Sequence, residues 1–317
     1  MLRKGTFILM KNQDSGYDLR SPGRLIILFA IPLMLGNICQ QLYTMVDTMV
    51  VGQIAGVEAL AALGAVDFLM WVVTGISTGL TQGFSIQLSQ YYGAKDFENL
   101  RKSLAHSYRL TAFIAAGVLI LSQLFASLVL TGLHTPSNII GMSLLYLRII
   151  FCGIPATAAY NMFASALRAM GNSKTPLTAM IIASVLNVSL DILFVAGFGW
   201  GVAGAAIATV IAQSFSAVYC FLILRRIDIV HLTRADFMPA SGMNARLMKL
   251  GIPVVFQNII IGVGGLVVQY VINGYGFLFV AGFTATNKLL WSVGNGCYFL
   301  WICHRYLCGS ESGSQKD

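Results

Sequence analysis

The sequence predicts an all-α, polytopic membrane protein: a six-helix N-terminal lobe, then the start of a second lobe that repeats the first in parallel orientation. Three observations predict it. The 317 residues are 57% hydrophobic and only 10% charged, against about 25% charged in soluble domains, and the mean hydropathy is +0.76. Apolar runs long enough to cross about 30 Å of hydrocarbon recur along the whole chain. Lys and Arg residues gather in alternate loops.

The spans read in order as 25–48, 57–82, 104–132, 139–163, 176–197, 202–224, 251–272 and 277–300. All read as helices, because hydrocarbon offers no water to unpaired backbone groups. The Gly, Ala and Ser recurring within them suit close helix packing in lipid. Arg3, Lys4, Lys11, Arg20 and Arg24 cluster at the N-terminus. Lys95, Arg101 and Lys102 follow the second span, Arg168 and Lys174 the fourth, and Arg225, Arg226, Arg234, Arg246 and Lys249 the sixth. The loops near 52–57, 133–138, 198–201 and 273–276 hold no Lys or Arg. That alternation places the N-terminus and the basic loops in the cytoplasm of a cell with the spans in its plasma or inner membrane. It also accounts for the net charge of +8 without a nucleic-acid partner. The patch TFILM is too short for the apolar core of a signal peptide. Cys39, Cys152, Cys220 and Cys297 fall inside spans, which points away from a disulfide framework.

An internal repeat divides the chain. Ile31-Pro32 with Asn37 five residues on is matched by Ile252-Pro253 with Asn258 five residues on, and Leu60–Ala65 is echoed by Ala281–Thr286. Parallel repeats of six spans are one plan of membrane transporters. The expected parts are a cytoplasmic N-terminus (1–24), a first six-helix lobe (25–224), a cytoplasmic linker (225–250), the start of a second lobe (251–289) and a tail (290–317). The tail changes character near Leu290. Read one nucleotide out of register, within codon degeneracy, it yields YGVLEMAATSYGYAIATYVGQNLGAR, whose last seven residues match Ser89–Lys95 at nearly the repeat spacing. A frameshift near Leu290 is therefore the expectation, and with it a fragment that does not transport; a divergent tail is the alternative. On either reading Cys303, His304 and Cys308 fall short of the four supported ligands of a structural metal site.

Asp47 and Asp191 lie inside apolar runs. A carboxylate at the centre of a span costs roughly 2.5–3.5 kcal/mol on insertion scales, so such residues mark ion or substrate pathways. Burial favours the neutral carboxyl, which makes each a candidate proton or cation site. Asn187 and Asp191 are four residues apart and share a helix face. Tyr43 stands one turn before Asp47. Pro32 removes a backbone hydrogen bond within the first span and can kink it. Gln257, on the seventh span, is a candidate substrate contact. Asp67 reads as a solvated carboxylate near the outer end of its span, and Arg109 as a snorkelling cation in a cytoplasmic extension of the third. Gly199, Gly201 and Gly204 spell G-x-G-x-x-G, but without a β-α-β unit they pack a loop and a helix. Gly171–Thr175 lacks the spacing of a phosphate loop, and the spans offer no plausible Ser/His/Asp or Cys/His set in a pocket-like context and no metal triad, so an intramembrane enzyme is disfavoured.

The segments IPLMLGNICQQLYTMVDTMVVGQIAGVEALAALG (31–64), ALRAMGNSKTP (166–176) and LNVSLDILFVAGFGWGVAGAAIAT (186–209) resemble the multidrug and toxic compound extrusion (MATE) transporters, and the likeness covers about residues 22–289. The resemblance implies a monomeric secondary antiporter with two six-helix lobes. It would export cationic, amphipathic compounds in exchange for H+ or Na+, without another cofactor. It also implies roles for matching positions. Asp47 falls on the first-helix acid, Asn187 and Asp191 on the fifth-helix pair, Thr209 on a sixth-helix site position, and Pro32 on a helix that bends in response to the buried acid. A lipid-linked oligosaccharide flippase of the same superfamily is the alternative within transport.

Overall fold

The computed structural model describes residues 22–238, 242–288 and 290. The frameshift reading of the tail, with Cys303, His304 and Cys308, lies outside them, as do the basic residues Arg3 to Arg20. In chain order the helices are α1 (Pro22–Ile54), α2 (Val57–Gly93), α3 (Phe97–Gly132), α4 (Ile140–Cys152), α5 (Ile154–Ala169), α6 (Lys174–Asp191), α7 (Gly201–Leu224), α8 (Met243–Asn273) and α9 (277–288). Among the described residues there is no strand. Five of these helical stretches are long and apolar enough to cross a membrane, and α4 with α5, bent by 47°, make a sixth. Large apolar side chains on their outer faces stay exposed, Phe113, Leu124 and Leu128 of α3 among them. In water such patches would aggregate; here they face lipid. The chain is a multi-pass membrane protein.

Several helices run past the apolar runs at their basic ends. α2 continues to Gly93 rather than ending near 82, α3 begins at Phe97 rather than 104, α5 runs to Ala169, and α8 begins at Met243 rather than 251. Local chemistry sustains these polar turns. The Asp96 side chain accepts from the Asn99 backbone N–H at 3.1 Å and caps α3. Lys102, one turn further on, donates to Glu98 at 2.6 Å. Hydropathy marks where lipid begins, and these helices extend into water beyond it.

The fourth span is broken where the sequence predicts a single helix over 139–163. Gly153 forms the joint, and Pro155 in the first turn of α5 has no N–H to continue the ladder of α4. A Cβ at Gly153 would meet Val210 of α7 at 2.6 Å. The bend therefore lets the span lie directly on α7. By contrast, α1 remains helical through Pro32.

The linker is shorter than its expected 225–250, because α8 claims residues from Met243 onward. It lies on the first turns of α3, at the basic end of that helix. Arg109 donates to the Phe237 carbonyl at 3.0 Å, and the His106 ring nitrogens contact Asn244 Oδ1 at 2.7 Å and the Met238 carbonyl at 3.1 Å. Arg109 is thus a clamp on the linker as well as a cation at the membrane edge. Asp236 accepts from the Thr233 N–H and hydroxyl at 2.7 and 2.8 Å and stands 3.9 Å from Arg101. Burial pushes the Asp236 carboxyl up, but the Thr233 bonds, with Arg101 and Lys102, outweigh it and hold the group below its ordinary 3.8.

Two apolar cores fill the first six spans. One joins Val51, Leu63, Leu130, Leu147, Phe151 and Val202; the other joins Phe84, Leu88, Leu104, Met162, Leu167 and Leu224. The seventh span docks through a seam. α2 and α8 run antiparallel, with Gly75, Gly79 and Gly83 of α2 against Asn258, Val255 and Gly251 of α8, and Gly262 and Gly265 of α8 against Val72 and Phe68. A Cβ at Gly79 would stand 2.9 Å from the Val255 backbone. Absent side chains at these positions let two backbones touch, which is how helices gain contact in lipid.

Candidate functional site

The site forms where α1, α6 and α7 meet. Asp47 of α1 is 5% exposed, Asn187 of α6 1% and Asp191 at the end of α6 0%. Asp47 Oδ1, Asn187 Oδ1 and both carboxylate oxygens of Asp191 are buried without a hydrogen-bond partner. An unpaired buried acceptor costs about 1–3 kcal/mol, so a group of them is costly unless something binds there. Asp191 and Asp47 are close enough to interact electrostatically.

Local structure places each side chain. The helical repeat puts Asn187 and Asp191 on the same buried face of α6. Immediately after Asp191 the helix widens into a π-turn over Ile192–Gly197, closed by the Phe198 N–H on the Leu193 carbonyl at 2.9 Å. Such widened turns are rare and collect at functional sites. In α1 the Thr44 and Thr48 hydroxyls donate to the Gln40 and Thr44 carbonyls, both at 2.8 Å. Their hydrogens are thereby spent on the helix itself.

A cavity of about 10 Å³ opens between Tyr43, Asn187, Thr209 and Gln213, floored by Met180 and Ala183. That is about the space of one water. It is far too small for a drug-sized compound; Asn187 lines it, while Asp47 and Asp191 do not. Asn187 Nδ2 donates to Thr209 Oγ1 at 3.5 Å, the outer limit of a hydrogen bond. Tyr43 interacts with both Gln213 and Asp47.

The structure thus gathers Tyr43, Asp47, Asn187, Asp191 and Thr209, the five residues the sequence nominates for a cation. Gln257 stands apart, exposed on α8 and outside the cavity. Its neighbour Asn258 faces α2 and donates to the Gly75 carbonyl at 3.0 Å. The Pro32 side chain lies outside the described ones.

Three residues escape the sequence reading. Gln213 lies one turn after Thr209 on α7, a spacing that was legible. Tyr146 of α4 is buried among Asp47, Asp67, Tyr43 and Asp191, and only the tertiary fold brings it there. Lys288 of α9 pairs with Asp67 at 2.9 Å. This corrects the reading of Asp67 as a solvated carboxylate. A lone cation in an apolar run was the available signal.

Comparison with known proteins shows which family the chain resembles in sequence and fold. The MatE family model matches residues 32–193. The chain is 32% identical over 264 residues to the probable multidrug resistance protein YpnP of Bacillus subtilis, a match covering 83% of this chain and 59% of that protein. It is 24% identical over 265 residues to the multidrug export protein MepA of Staphylococcus saprophyticus, covering 83% and 58%. The chain therefore spans a little under three fifths of the length of these relatives. Among solved structures, an inward-facing multidrug resistance MATE family transporter superposes with a TM-score of 0.75 at 22% identity, over 83% of this chain and 63% of that one. An outward-facing one gives 0.72 at 23% identity, over 90% and 68%. With its fold shared by these structures and more than half of its residues matched by the family model, the chain belongs to the MatE family.

Proposed function

We propose that this chain carries the ion-coupling site of a secondary antiporter that exports small organic cations in exchange for H+ or Na+. One observation carries the reading: Asp47, Asn187 and Asp191 converge in the membrane with four buried acceptor oxygens unpartnered, beside a cavity of about 10 Å³. A bound proton or Na+ would satisfy those oxygens and remove the burial cost. The ion would then favour one packing of α1 on α6 and α7 over another, which is what coupling requires. Relatives named for multidrug resistance and multidrug export support the organic-cation side. In this reading the division into a first lobe, a linker and a second lobe supplies the two parts that rock against each other.

The test is ion binding by the purified chain in detergent. Titration calorimetry with NaCl against choline chloride, at several pH values, would show Na+ binding or Na+-independent proton uptake. Either should be lost in Asp47→Asn and in Asp191→Asn. Unchanged binding in both variants would overturn the assignment.

A further inference from the structure

A third acid stands beyond the site, at the junction with the helices that follow the linker. Asp67 lies ten residues into α2, roughly 15 Å along its axis. Lys288 lies a similar distance into α9, roughly 16 Å. The two helices run in parallel there, and Gly64 of α2 is in contact with Thr284 of α9. One turn further along each helix, Lys288 Nζ meets Asp67 Oδ2 at 2.9 Å. Around this contact Ala61, Ala62 and Ala65 of α2 pack against Val280 and Ala281 of α9. The ion pair is set in a small-residue contact between elements far apart in sequence.

Two features separate Asp67 from the other acids. Its side chain is 29% exposed and that of Lys288 21%, whereas Asp47 and Asp191 are almost fully enclosed. It also has a cation of the chain's own. Both Lys288 and Asp67 lie close enough to Asp47 to act on it electrostatically, with opposite signs. Asp67 is thus the most exposed of the three acids and already holds an ammonium.

We propose that Asp67 is a cation-binding carboxylate at the junction of α2 and α9, and that Lys288 is its intramolecular competitor. A monovalent organic cation takes Asp67 in exchange for the Lys288 ammonium. At Asp67 one cation replaces another, so its carboxylate stays paired; because Lys288 remains on the chain, the complex as a whole gains the one positive charge of the bound cation. It frees α9 from its polar tie to α2 and leaves Lys288 to turn toward Asp47. The inference rests on the cation-binding reading of Asp47 and Asp191, but it concerns a different carboxylate and fails separately.

The test uses ethidium, a fluorescent monovalent organic cation, and the purified chain in detergent micelles, with affinity read by fluorescence anisotropy. Lys288→Met removes the competitor and should tighten ethidium binding by up to about fivefold, the order expected when a partly screened ion pair no longer competes. Adding Asp67→Asn should abolish the gain. Adding Asp47→Asn should leave a gain relative to Asp47→Asn alone, which separates this site from the coupling site. Lys288→Arg and the swapped pair Asp67→Lys with Lys288→Asp keep the ion pair and should bind ethidium no tighter than the native chain. If Lys288→Met does not yield a monodisperse protein, Lys288→Gln takes its place, with the swapped pair as reference. Binding unchanged on removal of the ammonium, or a gain that survives Asp67→Asn, would overturn the proposal.

Discussion

Asp191 is fully buried, and neither of its carboxylate oxygens has a hydrogen-bond partner. A structural carboxylate would be bonded, because burial without partners is costly. A functional one is held unpaired at the expense of stability. Asp191→Asn should therefore raise the thermal unfolding midpoint in detergent, by an amount equivalent to about 1 kcal/mol, while losing ion binding. A lower midpoint would show a partner that the carboxylate needs. At this scale the sequence reads well where one rule applies: ionisable residues in apolar runs marked Asp47 and Asp191, and the four-residue spacing set Asn187 beside Asp191. The same rule covers Lys288, but no spacing along the chain relates it to Asp67, 221 residues earlier. The pairing follows from the docking of α9 on α2, which one-dimensional periodicity does not contain.

Helix boundaries and bends show a similar split. Spans were legible because lipid demands long apolar helices, while their basic ends were not, because caps and i,i+4 pairs rather than hydropathy decide where they stop. The bend at Gly153 was carried by the local text Gly153-Ile154-Pro155, and its cause lies in the approach of Val210. Gly83→Ala should force α2 from the Gly251 backbone and destabilise the protein by about 1–3 kcal/mol. Gly117→Ala is the control: its Cβ would meet nothing within 4 Å, and Ala in a helix is worth up to about 1 kcal/mol over Gly. Equal midpoints for the two variants in a detergent melt would refute the seam. For the linker, Asp236 sets a pH dependence. Its folded carboxyl is held below the ordinary 3.8, so its stabilising contribution is complete above that value and is lost as the pH falls through the lower folded one. Limited proteolysis should cut the linker faster as the pH drops below about 4. In Asp236→Asn cleavage should be fast already at pH 7, with that acid step gone.

For the molecule as a whole, the alternating Lys and Arg loops predict one orientation. A cysteine at Met238, exposed in the linker, should resist impermeant thiol reagents added outside intact cells, in a background without native cysteines. One at Tyr275, exposed in the turn between α8 and α9, should react. The reverse pattern would invert the topology. Parallel repetition was visible in the sequence as Ile252-Pro253 echoing Ile31-Pro32. What repetition did not show is that the helices after the linker dock mainly on α2, through glycines whose role appears only when two backbones are brought together.

That seam also has a consequence in time. The ribosome completes α2 at Gly93 and reaches Met243 only 150 residues later, roughly 8–30 s at about 5–20 residues per second. Throughout that interval Gly75, Gly79 and Gly83 present a bare backbone groove to the bilayer, and Asp67 has no ammonium beside it. The nascent chain must therefore survive half-assembled, with lipid or the insertion machinery occupying the place that α8 later fills. Translation speed between the two helices becomes a variable in how much protein folds: synonymous codons that slow it would lengthen the exposure without changing an amino acid.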